Sequence, residues 1–174
     1  GRMTGDDYGV GRYPEVSKLI AEISNFADIK SDLLGRKVLV TAGGTREAID
    51  PVRYIGNNSS GKQGISIAIA ARNRGAEVAL IAANISKALL SELEGIRIIE
   101  VSSTQDLKVA LDSEFDSCQI LLMTAAVADA KPIDTASEKI KKADFSNIAL
   151  EKNSDLLAEL GAKRRDGQVL VAFA

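Results

Sequence analysis

Short apolar runs recur along this chain from Lys37 onward, and stretches of helical periodicity separate them; this alternation limits the fold more than any other feature. The runs are "KVLVTA" (37–42), "EVALIAA" (77–83), "RIIEV" (97–101), "QILLMTAA" (119–126) and "QVLVAFA" (168–174), with a weaker one, "IALEK", at 148–152. Between them, "GISIAIAARNRG" reads as a helix that starts near Ser59 or Ser60 and closes at Gly75. Residues 87–94 read as a short helix, "STQDLKVALDSEF" as a capped one and "SDLLAELGAKRR" as the last. Strands that are apolar at nearly every position belong in a parallel sheet covered on both faces, because each pleat face must meet a helix. The expected fold is therefore α/β: a Rossmann-like, doubly wound, mainly parallel sheet with helices on both faces. Such sheets bind ligands beyond the carboxyl ends of their strands. That rule selects residues 43–61, residues 124–131 and the chain after Val171.

The remaining segments break the alternation. Residues 1–12 are glycine-rich without apolar periodicity and read as a flexible arm. Next comes "YPEVSKLIAEISNFADI", with Val16, Leu19, Ile20 and Ile23 on one helical face and Pro14 near its start. Residues 1–35 are thus an arm plus a helix, and 36–174 the α/β domain. Residues 130–147 form a polar, lysine-bearing excursion, a length that is usually functional or disordered. A formal charge of −2 argues against a general nucleic-acid binder, so any anion site must be local. No long uninterrupted apolar window predicts a membrane span and no leader pattern opens the chain, so the expectation is a cytoplasmic protein. Cys118 is the sole cysteine and sits in "CQILLM", where a buried structural thiol is expected. The chain has no histidine, which excludes a Ser-His-Asp triad, a histidine base and a histidine-held metal.

Four segments carry the groups that chemistry needs. The first, "TAGGTREAIDPVRYIGNNSSGKQG", nearly spells a P-loop at Gly56 and Gly61-Lys62. Gln63 stands where Ser or Thr would ligate Mg²⁺, and Gly56 lies far past the strand end at Ala42, so the P-loop context fails. Gly43 and Gly44 could instead let backbone amides approach a phosphate, or form a plain tight turn. Arg46, Asp50, Arg53, Asn57, Asn58, Ser59 and Ser60 give this loop more polar groups than a connector requires. Ser59, Ser60 and Gly61 open a helix whose amino end favours an anion, and Asn57 adds a neutral amide able to meet a developing oxyanion. The second is "TAAVADAK", where Met123, Thr124 and Ala125 offer backbone to a base edge and Asp129 could hold a ribose or a metal-bound phosphate; packing alanines and a solvated Asp are the plainer reading. The third is "SEKIKKADF", whose Lys139, Lys141 and Lys142 form either a solvated face or a lysine arm that closes on phosphates. In the fourth, "EKNSDLLAEL", Asn153 or Ser154 is the expected N-cap, with Asp155 in the first turn.

Taken in order, "VTAGGTREAIDPVRYIGNNSSGKQG", "TAAVADAKP", "EKIKK", "KNSDLLAEL" and "VLVAFA" resemble the phosphopantothenoylcysteine synthetases, over about residues 36 to 174. These form the second domain of the bifunctional bacterial coenzyme A biosynthesis flavoprotein. Residues 9–16, "GVGRYPEV", look like the junction that follows its decarboxylase domain, which is absent here, so no FMN is expected. The resemblance implies a ligase that joins 4′-phosphopantothenate to L-cysteine with CTP and Mg²⁺, through an acyl-cytidylate, and that works as a homodimer with the 130–147 excursion reaching the partner. By position it implies catalytic roles for Asn57 and Lys139, with Lys139 also on the CTP phosphates. It implies nucleotide contacts from Gly43, Gly44, Met123, Thr124, Ala125, Asp129, Asn153, Ser154, Asp155, Leu156 and Phe173, and substrate contacts from Arg53, Asn57, Ser59 and Ser60. The metal ligands stay open. Gln63 replaces a frequent methionine, "NSD" replaces the commoner "NPD", and the family pattern continues beyond "VAFA", so a C-terminally truncated domain is expected. Two alternatives remain: an NAD(P)-dependent reductase, although neither Tyr8, Tyr13 nor Tyr54 has lysine four residues on, and a noncatalytic nucleotide-binding module.

Overall fold

The computed structural model describes residues 15–27, 31–142 and 145–173. The chain divides into two units, Gly1–Ser31 and Asp32–Ala174. The first contains helix α1 (Val16–Ala27); the glycine-rich arm and Pro14 lie outside the described residues. All that follows concerns the second unit.

Alternation along β1 (Lys37–Gly43) sets the architecture. Val38, Val40 and Ala42 face one side and join a core with Val78, Leu80 and Ala82 of β4 (Glu77–Ala83) and with Ile65, Ala68 and Ala71 of α2 (Lys62–Asn73). Leu39 faces the other side, with Ile81 of β4, Leu107 and Leu111 of α4 (Thr104–Glu114), and Leu156 and Leu160 of α5 (Leu156–Lys163). Each fully buried leucine or isoleucine contributes about 1.5–3 kcal/mol from removal of apolar surface from water. Two dry faces on one strand are what a doubly wound sheet requires, and the continuous apolar runs encode them.

With β5 (Ile96–Val101), β6 (Ile120–Met123) and β9 (Val169–Ala172), these strands form one five-stranded sheet in the order β5–β4–β1–β6–β9. Every pairing in it is parallel. The order reverses between β1 and β6, which makes their carboxyl ends the switch point.

Several boundaries differ from the sequence expectations. Residues 43–61 do not form a long loop. They contain an antiparallel hairpin, β2 (Arg46–Asp50) and β3 (Arg53–Gly56). Its turn is an Asx turn: Asp50 Oδ1 accepts from the amides of Val52 and Arg53, each at 2.9 Å, around Pro51. Along β2, Arg46 is exposed while Glu47 and Ile49 are buried, an alternation that the residue types themselves do not show. Residues 148–152 do not extend the main sheet. The exposed strand β8 (Leu150–Lys152) pairs antiparallel with β7 (Ala130–Pro132) in a separate ribbon. Only the continuously apolar runs enter the main sheet. Helix α2 starts at Lys62 rather than at the serines, after Gly61 with φ +74°. Helix α3 is a single turn (Lys87–Leu90), and the N-cap of α5 is Asp155, not Asn153 or Ser154. Strand β6 stops at Met123, short of Ala126. Cys118 is buried, and burial pushes its thiol pKa up, which suits an inert structural role.

Candidate functional site

The switch point is closed by side-chain and backbone bonds that continue the sheet past its strands. Thr124 Oγ1 donates to the Thr41 carbonyl at 2.5 Å, and Ala126 N donates to the Gly43 carbonyl at 2.8 Å. Ala128 N then donates to Thr45 Oγ1 at 2.8 Å. This lacing fixes the backbone of 124–128, although these residues lie outside any strand. The amide of Gly44 donates to the Ala83 carbonyl, so it is committed to the sheet and does not face a ligand.

A buried polar chain supports the same segment from behind. Glu47 is 5% exposed, and its Oε1 accepts from Thr104 N at 2.9 Å and Thr104 Oγ1 at 2.7 Å. Thr104 is the first residue of α4, so the carboxylate meets a helix amino end, where it is favoured electrostatically. Asn153 Nδ2 donates to Thr104 Oγ1 at 3.2 Å and to the Ala128 carbonyl at 2.8 Å. Asn153 is therefore held by two elements, and the charge at the end of the chain belongs to the hairpin.

Two recesses open at this end of the sheet. The larger is a cleft of about 640 Å³, lined by Met123, Ala125, Asp129, Asn153, Ser154, Asp155, Leu156 and Phe173. Val127, Ala128, Ala130, Lys152, Leu157 and Ala172 complete it. The smaller is a polar crevice of about 200 Å³ with Gly44, Asn57 and Ser59 in its lining. Asn57 stands between them: it lines the crevice, and its Nδ2 donates at 3.0 Å to the carbonyl of Val127, which lines the cleft.

The structure thus gathers eight of the expected nucleotide contacts into one cleft and three further expected residues into the crevice beside it. Gly43, Thr124 and Ser60 line neither recess, and nor does Lys139, which is exposed on the excursion. Arg53 is engaged within the chain. Its Nη2 donates to the Ile140 carbonyl at 2.6 Å, its Nε lies 2.9 Å from Asp50 Oδ2, and its guanidinium stacks 3.9 Å from the Phe145 ring centre. Asp50 Oδ2 also accepts from Ile140 N at 3.2 Å. Together the pair clamps the excursion next to Lys139 and Lys141. Residues that sequence reasoning passed over are Lys152 in the cleft, Tyr54 and Asn84 in the crevice, and Glu47 with Thr104 behind them. Asn84 did carry a signal: it is a polar residue at the carboxyl end of an apolar parallel strand.

The Asp50–Arg53 clamp sets an acid limit. Burial pushes the Asp50 carboxyl up, but the amides of Val52, Ile140 and Arg53 and the Arg53 charge outweigh it and hold the pKa below the usual carboxylate range. A depressed folded value means the stability it contributes is present above the unfolded pKa, about 4. That stability is lost as pH falls through the folded value. Unfolding midpoints measured from about pH 6 down to about pH 2 should fall more steeply for the parent chain than for Asp50→Asn. Parallel acid limbs would show that Asp50 carries no such linkage.

Comparison with known proteins gives a consistent picture. The signature of the DNA/pantothenate metabolism flavoprotein C-terminal domain matches residues 33–174. The coenzyme A biosynthesis bifunctional protein CoaBC of Mycobacterium bovis is 45% identical over 185 residues, covering 100% of this chain and 44% of that protein. Its counterpart in Vibrio cholerae is 41% identical over 177 residues, covering 100% of this chain and 43% of its own length. The chain thus spans less than half the length of these relatives. The crystal structure of the C-terminal domain of a coenzyme A biosynthesis bifunctional protein CoaBC superposes with a TM-score of 0.65 at 37% identity, covering 79% of this chain and 63% of that one.

Proposed function

This chain belongs to the DNA/pantothenate metabolism flavoprotein C-terminal domain family, and from that premise we propose that it is the phosphopantothenoylcysteine synthetase part of a coenzyme A biosynthesis protein, a CTP-dependent ligase. Its relatives carry the name of a bifunctional protein, and in the same reading a decarboxylase domain accompanies this one in the whole protein.

In the first step a carboxylate oxygen of 4′-phosphopantothenate attacks the α-phosphorus of CTP. An O–P bond forms, the bond to the β-phosphate oxygen breaks, and pyrophosphate leaves with the electron pair. In the second the amine of L-cysteine attacks the acyl carbon. The C–N bond forms, CMP leaves with the C–O pair, and the amine proton passes to solvent. Neither step needs a histidine, because both depend on positioning and on neutralising charge.

The observation that carries this reading is Asn57 joining the cleft to the crevice through the Val127 carbonyl. The cleft has the volume and the backbone edges for a nucleotide: Met123 and Ala125 lie at one side, the amino end of α5 at the other, and Phe173 offers a flat face. A cytidine there brings its α-phosphorus towards the Asn57 side chain, whose amide steadies the acyl phosphate. Asp129 holds the ribose or the metal. Among the described residues no group of three or more His, Cys, Asp or Glu gathers. The cleft nonetheless offers Asp129 and Asp155, and this donor set suits Mg²⁺, which binds through one or two carboxylates plus substrate phosphates and water. When bound, the cation supplies charge neutralisation at the triphosphate. Lys139 lines neither recess, which fits a homodimer in which the excursion serves the partner's phosphates. Arg53, whose Nη1 has no hydrogen-bond partner among the described residues, is left to meet the substrate phosphate.

The test is CMP and pyrophosphate release with CTP, 4′-phosphopantothenate and L-cysteine. Asn57→Asp places a negative charge against the acyl phosphate and should lower turnover by about a hundredfold or more, given what one oxyanion donor contributes. Undiminished product formation removes Asn57 from the mechanism. Nucleotide binding without turnover in the full-length parent protein favours a noncatalytic module.

A further inference from the structure

We infer that the smaller crevice is the subsite of the attacking amino acid, with Arg46 holding its α-carboxylate; the inference rests on the ligase reading above. Arg46 and Tyr54 lie on the exposed face of the β2–β3 hairpin, diagonal to one another in the register that pairs Arg46 with Gly56 and Ala48 with Tyr54. The guanidinium stacks over the Tyr54 ring, 4.5 Å from its centre. Stacking orients the plane and leaves the N–H edges free, and among the described residues no carboxylate pairs with Arg46. A cation kept oriented and unpaired in a concave polar wall suits a planar carboxylate, which it can meet with two parallel hydrogen bonds.

The wall behind it is rigid. Asn84 adopts φ +52°, uncommon for a side chain other than glycine, and every polar atom of its amide is engaged. Nδ2 donates to the Gly44 carbonyl at 2.9 Å and to the Ser102 carbonyl at 2.8 Å, while Oδ1 accepts from Ser102 Oγ at 3.1 Å. The Gly44 backbone runs so close to the next turn that a Cβ there would lie 2.4 Å from the Asn57 carbonyl oxygen. A backbone strained and tied in this way is characteristic of binding sites.

Size and charge select the occupant. The volume of about 200 Å³ corresponds to roughly seven waters of liquid, enough for an amino acid of that many heavy atoms and far too small for a nucleotide. The lining contains no Asp or Glu. The amine is the nucleophile, and a carboxylate beside it would favour its protonated, unreactive form. A cationic crevice favours the free amine while anchoring the other end of the molecule. Asn57 lines this crevice and bonds to the rim of the cleft, so an amine held here faces the carbon activated there.

The experiment uses the isotope-labelled 174-residue chain and follows its amide resonances by NMR. L-Cysteine should shift the signals of Gly44, Gly56 and Asn57. Cysteamine, which lacks the carboxylate, should need at least about tenfold more to do so, the equivalent of one charge-assisted hydrogen bond. Arg46→Gln should abolish the difference between the two ligands and leave the response to CTP at 123–129 intact. Shifts centred on 123–129, equal responses to L-cysteine and cysteamine, no response, or an unaltered cysteine preference in Arg46→Gln would each overturn the subsite. Pyrophosphate release by the full-length protein separates the two ideas: if it fails while the cysteine response persists, the ligase reading falls and this recognition site stands.

Discussion

Gly43→Ala should lower stability by about 3 kcal/mol or more and leave much of the protein unfolded at moderate urea. Two costs add. Gly43 has φ +87°, a left-handed conformation that costs an L-residue about 1–2 kcal/mol. The added Cβ would also lie 2.0 Å from the Ala83 carbonyl oxygen and 2.8 Å from Ile85 Cγ1. Ala83 cannot retreat, because it pairs with Gly43 at the end of the β1–β4 ladder and its carbonyl accepts from Gly44 N. Overpacking against such a neighbour costs a further ~1–3 kcal/mol. Gly161 in α5 is the control, since a Cβ there meets nothing within 4 Å. Gly161→Ala should stabilise by about 0.5–1 kcal/mol through helix propensity. Urea midpoints give both values; if Gly43→Ala unfolds at the parent midpoint, the account of this turn is wrong.

Glu47→Ala comes second, at about 2 kcal/mol. It strands the buried Thr104 N, which relies on Glu47 Oε1, and forces Thr104 Oγ1 to turn to Thr45 Oγ1, 3.2 Å away. An unsatisfied buried group costs about 1–3 kcal/mol. Glu47→Gln keeps an oxygen in place for both donors and should cost less than about 1 kcal/mol. The pair therefore separates hydrogen bonding from charge. Thr104 Oγ1 also receives Asn153 Nδ2, so CTP binding to the folded Glu47→Ala protein should weaken while Glu47→Gln binds normally. Equal denaturation curves for the two variants would show that the carboxylate acts by charge at the amino end of α4.

The main sheet was legible because its signal is local and redundant. Five apolar runs name the five strands, and β1 and β4 at the middle are buried on both faces. Glycine-75 closure of α2 and the Ser103 start of α4 were equally readable. The ribbons were not. "REAID" places polar Arg46 beside polar Glu47 and apolar Ala48 beside apolar Ile49, so its residue types do not show its pleat, and its partner strand contributes only four residues. "IALEK" showed β character, but nothing local says which edge a half-apolar strand will choose; its pairing with Ala130–Pro132 is decided across the excursion. Ala125, Asp129 and Phe173 fell where the strand-end rule put them, whereas Asn153 to Leu156 reach the cleft from outside the three segments it selected. Glu47 escaped notice because its worth comes from Thr104, which is distant in sequence and adjacent only once the hairpin folds back. Arg46 was seen merely as one donor in a rich loop, since its stacking on Tyr54 depends on a register that the sequence does not display.

The strand order has a consequence for how the molecule is made. β1 emerges first among the sheet strands yet occupies the centre, and both its neighbours, β4 and β6, are encoded later. A growing chain must carry that apolar segment without a hydrogen-bonded partner until the ribosome releases β4, and one flank stays bare until β6 follows. Non-local pairing of this kind is slow and exposes sticky intermediates. Chaperone dependence during synthesis should therefore concentrate in the interval before residue 123 clears the exit tunnel.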